Sequence, residues 1–160
     1  MSAIVCSIII PMYNEEEVIK ETYYRLTRVM DQSNESYELL FVNDGSWDRS
    51  AAIIAELAQT DKNIRLIDFS RNFGHQIAVT AGMDYAQGQA IVIIDADLQD
   101  PPEVIPRMLE KWREGYDVVY GKRLKRHGET FFKKVTAFLF YRILGALTDD
   151  NIPRDTGDFR

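Results

Sequence analysis

The residues best placed to do chemistry are two aspartates, Asp95 and Asp97, which follow directly on the apolar run Ala90–Ile94. A β-branched run without polar alternation reads as a strand covered on both faces, as in a parallel sheet. Ligands bind outside the carboxyl ends of such strands, so both aspartates stand where a ligand would be. Extended backbone sends alternate side chains to one side. Two carboxylates on one side repel unless a cation lies between them. Hard oxygen ligands suit Mg²⁺ or Mn²⁺, which usually bridge to substrate phosphates. The alternative reading of an Asp-x-Asp triplet is a solvated turn.

The elements that would position such a site alternate along the chain. Ile4–Ile10 is a first apolar strand, which Pro11-Met12-Tyr13-Asn14 is expected to break. Glu15–Met30 carries Val18, Ile19, Tyr23, Leu26, Val29 and Met30 at helical spacing, with acids in the first turn facing the helix dipole. Tyr37–Asn43 is a second strand. A helix follows over Asp48–Thr60, with Ser46 or Asp48 as its cap. Ile64–Asp68 is a third strand, and Gln76–Tyr85 a helix closed near Gly88. After the strand Ala90–Ile94 come a helix over Pro102–Glu114, with Pro near its start, and a fifth strand at Asp117–Gly121. This alternation predicts an α/β fold, a mainly parallel sheet with helices on both faces. Right-handed crossovers then bring the strand ends to one rim.

Polar loops follow those ends at Pro11–Glu16, Asn43–Asp48, Ser70–His75 and Asp95–Asp100. Meeting on one rim, they define a site lined by Asn14, Glu15, Asp44, Asp48, Arg71, Asp95 and Asp97. Neither Gly-x-Gly-x-x-Gly nor a P-loop is present, so phosphates there call for a metal rather than a glycine cradle. With two His and one Cys in the chain, zinc is a poor fit. His75 and His127 read as local polar or surface groups. Cys6 lies too early in its strand for a nucleophile and reads as a small buried hydrophobe.

Length and charge bound the rest. The 160 residues suffice for one domain with a real core, 46% are hydrophobic, and the net charge of −6 disfavours general nucleic-acid binding. A lone cysteine excludes an internal disulfide. No signal peptide and no apolar run of membrane-spanning length is visible. Lys122, Arg123, Lys125, Arg126, Lys133 and Lys134 nevertheless crowd one stretch. The following Thr130–Thr148 reads as an amphipathic helix with a stripe of Phe132, Val135, Leu139, Ile143 and Leu147. Two readings stand side by side: an interfacial helix on an anionic membrane surface, and a core helix with a basic edge.

In chain order, Pro11-Met12-Tyr13-Asn14-Glu15-Glu16, Val42-Asn43-Asp44-Gly45-Ser46, Arg71-Asn72-Phe73-Gly74 and Asp95-Ala96-Asp97-Leu98-Gln99-Asp100-Pro101-Pro102 together resemble the family-two glycosyltransferases of the GT-A fold. The nearest branch is that of the polyprenyl-phosphate glycosyltransferases, similar to dolichol-phosphate mannose synthase and the bacterial undecaprenyl-phosphate glucosyltransferases. The resemblance covers essentially the whole chain. It implies a Rossmann-like nucleotide-sugar-binding core over residues 1–121. Residues 122–160 would hold the basic loop, the interfacial helix and the start of an acceptor site, with the catalytic domain cut short at 160.

By position, the resemblance implies that Pro11, Tyr13, Asn14 and Glu15 form the first nucleotide-contacting loop and that Asp44 hydrogen-bonds the base. Arg71 belongs with these nucleotide-binding residues. Asp97 becomes the principal contact of Mg²⁺ or Mn²⁺, and Asp95 lies near the ribose or metal. Lys122 or Arg123 would help hold phosphate. Asp158 would serve on the acceptor side as base or orienter; a phosphate acceptor is already ionised and needs orientation more than deprotonation. The implied reaction is metal-dependent, inverting transfer of a hexose from a nucleotide diphosphate sugar to polyprenyl phosphate at the cytoplasmic face of the cell membrane. UDP-glucose comes first, then UDP-GlcNAc or a UDP-linked aminosugar, then GDP-mannose. The resemblance is compatible with a homo-oligomer. The alternatives are a soluble polysaccharide- or protein-modifying family-two enzyme and a nucleotide-binding fragment without catalysis.

Overall fold

The structure, a computed structural model, describes residues 3–121. Lys122, Arg123, the helix expected at Thr130–Thr148 and Asp158 lie outside the described residues. Four strands, β1 (Cys6–Met12), β2 (Tyr37–Asn43), β3 (Ile64–Asp68) and β4 (Ala90–Ile93), form one parallel sheet in the order β3-β2-β1-β4. Between them run α1 (Ile19–Ser33), α2 (Ser50–Ala58) and α3 (His75–Tyr85). A 3₁₀ turn at Pro102–Val104 leads into α4 (Ile105–Arg113). The expected parallel α/β layout, of GT-A type, is therefore present.

Alternation along the strands divides two cores. Ile8, Ile10, Leu39, Phe41, Val92 and Ile94 pack with Ile19, Leu26 and Met30 of α1 and Ile105, Met108 and Leu109 of α4. Ile9, Leu40, Val42 and Ile93 point the other way, onto Ala78 and Val79 of α3. The helices thus cover both faces, as the apolar β1 and β2 require. Gly82 lets α3 lie close: a Cβ there would stand 2.4 Å from Ile9 Cγ2. Ile8, Ile9 and Ile10 are wholly buried, each contributing roughly 1.5–3 kcal/mol. Among the described residues β1 has a strand on each side, so the rim at its carboxyl end rests on firmly packed backbone.

Several sequence expectations need correcting. Pro11 does not break β1 but lies within it, paired with Val42. Ile94 N–H donates to the Ile9 carbonyl at 3.1 Å, whereas the Met12 carbonyl accepts from Asp44 N–H at 2.9 Å. Odd-numbered β1 residues therefore address β4 and even-numbered ones β2. Pro11 faces the β4 side beyond the last paired residue, Ile93, where no ladder bond needs its missing N–H. The fifth strand expected at Asp117–Gly121 is not formed among the described residues. The run has no ladder partner there, and Val118 and Tyr120 are exposed. Ile91 is likewise 40% exposed rather than covered on both sides, because β4 lies at the edge of the described sheet. Among the described residues no helix is long and apolar enough to cross a membrane.

A buried polar cluster closes the amino-terminal side of the sheet. The almost wholly buried Glu38 carboxylate accepts from Ser7 Oγ, Gln87 N–H and the Arg65 guanidinium. Burial alone would raise its pKa, but these hydrogen bonds outweigh burial and hold it below the ordinary value. Gly88 belongs to this corner rather than to a helix cap. A Cβ there would stand 2.6 Å from Ser7 N.

Candidate functional site

The loops after β1 and β2 are laced together. Three successive backbone N–H groups of the first loop donate to side chains of the second: Asn14 to Ser46 Oγ at 2.9 Å, Glu15 to Ser50 Oγ at 2.8 Å and Glu16 to Asp48 Oδ2 at 3.0 Å. The second loop answers with Trp47 N–H to Asn14 Oδ1 and Arg49 N–H to Glu16 Oε2. Asn14 adopts φ 57°, a left-handed conformation that asparagine tolerates. Asp48 also accepts from Ser50 N–H at 2.9 Å, but the residue at the cap position of α2 is Arg49, which makes no side-chain cap hydrogen bond. These hydrogen bonds outweigh its burial and lower its pKa.

The loop before α3 is fixed by Asp44. This side chain is only 4% exposed. Its Oδ1 accepts from Phe73 N–H at 2.7 Å and its Oδ2 from Gly74 N–H at 3.0 Å. Gly45 makes the close approach feasible: it takes φ +69°, and a Cβ there would stand 2.3 Å from the Arg71 carbonyl carbon. Arg71 lies over the Phe73 ring, 4.7 Å from its centroid.

The two aspartates after β4 flank a pinned residue. Ala96 is buried, and its carbonyl accepts from the Thr22 hydroxyl of α1 at 2.6 Å. Asp97 Oδ1 then closes a tight turn by accepting Gln99 N–H at 3.0 Å, with Leu98 at φ 60°. The strand has ended before Asp95, so this turn, not pleating, sends both carboxylates toward one space.

That space is an open cavity of about 390 Å³ at the carboxyl rim of the sheet. Its walls include Pro11, Tyr13, Glu15, Asp44, Asp95 and Asp97. Asn72, Gly74, His75 and Ala78 complete the side toward α3. Asn14, Asp48 and Arg71 do not line it. The first two hold loops together, and Arg71 covers Phe73. His75, read from sequence as a local polar group, does line it, with Nε2 4.0 Å from Asp95 Oδ1. Its place at the first residue of a helix opening on the rim is the signal that could have found it.

The cavity is electrostatically one-sided. Among the described residues its walls carry Glu15, Asp44, Asp95 and Asp97 but neither Lys nor Arg. Glu15 is pushed above its ordinary pKa first by burial, then by repulsion from Asp97, Asp48 and Asp95. Among the described residues no group of three His, Cys, Asp or Glu could hold a metal unaided. Two aspartates with hard oxygens suit Mg²⁺ or Mn²⁺ when a ligand supplies further oxygens, so the donor set fits such an ion. Cys6 contributes nothing here. It is wholly buried, and burial, followed by Glu35 and Glu38, pushes its thiol up to about 12.

Known proteins resemble this chain in sequence and in fold. A Bacillus subtilis (strain 168) protein named uncharacterized glycosyltransferase YkcC is 69% identical over 154 residues, 96% of this chain and 48% of its own. An Escherichia coli (strain K12) protein named prophage bactoprenol glucosyl transferase homolog is 41% identical over 96% of this chain and 50% of its own. The chain thus spans about half the length of these curated relatives. The solved mannosyltransferase PcManGT from Pyrobaculum calidifontis, in complex with GDP-Man and Mn²⁺, superposes with a TM-score of 0.61 at 22% identity. The match covers 87% of this chain and 38% of that one. The model of glycosyl transferase family 2 matches residues 7–160, and with these relatives it places the chain in that family.

Proposed function

We propose that the cavity holds the nucleotide diphosphate part of a sugar donor, UDP-linked by preference, and that the protein transfers the hexose to polyprenyl phosphate with inversion. One observation carries the donor reading. Asp95 and Asp97 enter an open, acid-lined cavity whose walls, among the described residues, carry no Lys or Arg side chain. The GDP-Man and Mn²⁺ bound by the mannosyltransferase of like fold support it. The lipid acceptor is supported by the relative named for bactoprenol and by the basic, aromatic stretch after Gly121.

In this reading Asp97 and Asp95 would hold Mg²⁺ or Mn²⁺, and such an ion would supply charge stabilisation to the departing diphosphate. Tyr13, Pro11 and the wall fixed by Asp44 enclose the nucleoside, while Glu15 keeps its acid close to the phosphate end. An oxygen of the lipid phosphate attacks the anomeric carbon as the bond to the nucleotide diphosphate breaks. The acceptor oxygen is already ionised, so Asp158 orients it, and Lys122 and Arg123 offset its charge. Placement at the cytoplasmic face of the membrane follows from a soluble donor and a lipid acceptor.

The test is transfer of radiolabel from UDP-glucose to polyprenyl phosphate with Mg²⁺, run beside UDP-GlcNAc and GDP-mannose. Labelled lipid from a UDP-sugar is the expected result. Label passing only to a soluble glycan or protein would overturn the lipid assignment. Labelling from GDP-mannose alone would overturn the preference for UDP.

A further inference from the structure

Asn43 breaks the pattern of the stripe that it ends. Along β2, Leu39 and Phe41 fill the larger core, and the next residue on that face is an amide only 2% exposed. A buried amide costs free energy unless its donors and acceptor find partners. Nδ2 of Asn43 donates to Asp68 Oδ1 at 2.7 Å, on its register partner in β3. Oδ1 accepts from Ser46 N–H at 3.2 Å and also from the Ser46 hydroxyl. The amide cannot be turned over. A backbone N–H fixes the oxygen at one end, and an ionised carboxylate, which only accepts, fixes the nitrogen at the other. With its proton committed to Asn43, Ser46 Oγ presents a lone pair to Asn14 N–H at 2.9 Å. Residues from three strand ends thus form one directed chain, from Asn14 N–H to Ser46, from Ser46 to Asn43 and from Asn43 to Asp68.

The chain ends where the cavity begins. Asn14 stands between Tyr13 and Glu15, which both line the cavity. Its N–H is the first of the three that tie this loop to the next. Neither Asn43 nor Asp68 lines the cavity, so an effect of either on a ligand there must pass through the loop. Hydrogen bonds in a chain polarise one another, so a break at the Asp68 end is felt at Asn14. Resting on the reading of the cavity as a donor-nucleotide site, we infer that Asn43 and Asp68 are positioning residues for the donor. They fix the direction of the Ser46 hydroxyl, and through it the place of the loop that carries Tyr13 and Glu15. Asp68 sets the polarity of the chain, and Asn43 transmits it to Ser46.

The experiment exchanges the two side chains. Asn43→Asp alone sets two carboxylates side by side in register, where they repel. Asn43→Asp combined with Asp68→Asn again places a donor opposite an acceptor. Ser46→Ala cuts the chain in the middle. Each protein is titrated calorimetrically with UDP in Mn²⁺, its Asn14 amide is followed by hydrogen exchange without nucleotide, and urea denaturation reports its stability. UDP affinity and Asn14 protection should each fall roughly tenfold in Asn43→Asp, the size of one hydrogen bond to a charged group. Both should return most of the way in the double variant. Once Ser46→Ala has cut the chain, adding Asn43→Asp should cost little further affinity, as coupled residues require. Lower stability with unchanged UDP affinity in Asn43→Asp would make the amide a structural element alone and overturn the inference. A double variant that binds as weakly as Asn43→Asp would overturn it too. Failure of the unaltered protein to bind either UDP or GDP would instead remove the donor-site reading. The positioning role would fall with it, while Asn14 protection without nucleotide would still report whether the chain holds the loop.

Discussion

Replacing Asp44 by alanine should open the loop before α3 and so damage the cavity from a residue that is almost out of sight. Both carboxylate oxygens accept backbone N–H groups, from Phe73 at 2.7 Å and Gly74 at 3.0 Å. A hydrogen bond to a charged acceptor contributes about 1.5–3 kcal/mol. Phe73 is 47% exposed, so water reaches the freed amides and the lower end of that range applies to each. Two such bonds give about 3 kcal/mol, which lowers the closing equilibrium of the loop roughly a hundredfold. The core strands do not depend on the loop, so the opening is local. Native-state hydrogen exchange should show the Phe73 and Gly74 amides losing roughly a hundredfold protection while the β1 and β2 amides keep theirs. Asp44→Asn keeps the shape but turns an amide N–H toward one of the two backbone donors, and should lose about half as much free energy. UDP affinity should fall in the same order. Unchanged protection at Phe73 and Gly74 in Asp44→Ala would refute the reasoning. Asp44 would then act on the base alone.

Thr22→Val preserves volume but leaves the Ala96 carbonyl without its 2.6 Å donor. It should cost about 1–3 kcal/mol in urea denaturation and weaken metal-dependent UDP binding more than binding of uridine. Glu38 gives a pH dependence of definite sign. Its folded pKa is lowered from 4.5, so its contribution is present above that value and is lost as the pH falls through the lower folded pKa. Denaturation between about pH 5 and pH 3 should therefore show a steeper loss of stability in the unaltered protein than in Glu38→Gln. Equal slopes would mean that the carboxylate is not held by Ser7, Gln87 and Arg65.

The strands were legible where apolar runs were bounded by turn residues. Tyr37–Asn43 and Ile64–Asp68 form over the expected residues. Where sequence reading went astray, a contact distant in the chain decided. Pro11 reads as a breaker until β4 is seen to stop at Ile93. Glu15–Val18 carries the helical pattern but forms a turn, with the Glu15 carbonyl accepting from both Val18 and Ile19 N–H, and α1 starts only at Ile19. The turn is tied to the second loop through Ser50 and Asp48, a pairing that no local pattern announces. Asp117–Gly121 has the composition of a strand but no described neighbour. At the site, acidic residues at strand ends were enough to point to Glu15, Asp44, Asp95 and Asp97, which the cavity brings together. The places of Asn14, Arg71 and His75 depended on which way loops turn, and that is set for Asn14 by Ser46 and Trp47 and for the loop before α3 by Asp44 and Gly45, all in the loop after β2.

The most direct test of the donor site is titration of UDP into the unaltered protein and into Asp97→Asn, each with and without Mn²⁺. Asp97 lies on a turn outside the two cores, so the substitution should leave the melting temperature nearly unchanged. The account predicts that Mn²⁺ tightens UDP binding to the unaltered protein and that most of this gain, on the order of tenfold or more for a bridging carboxylate, is lost in Asp97→Asn. Equal tightening by Mn²⁺ in both proteins, or binding indifferent to Mn²⁺ in the unaltered one, would contradict it.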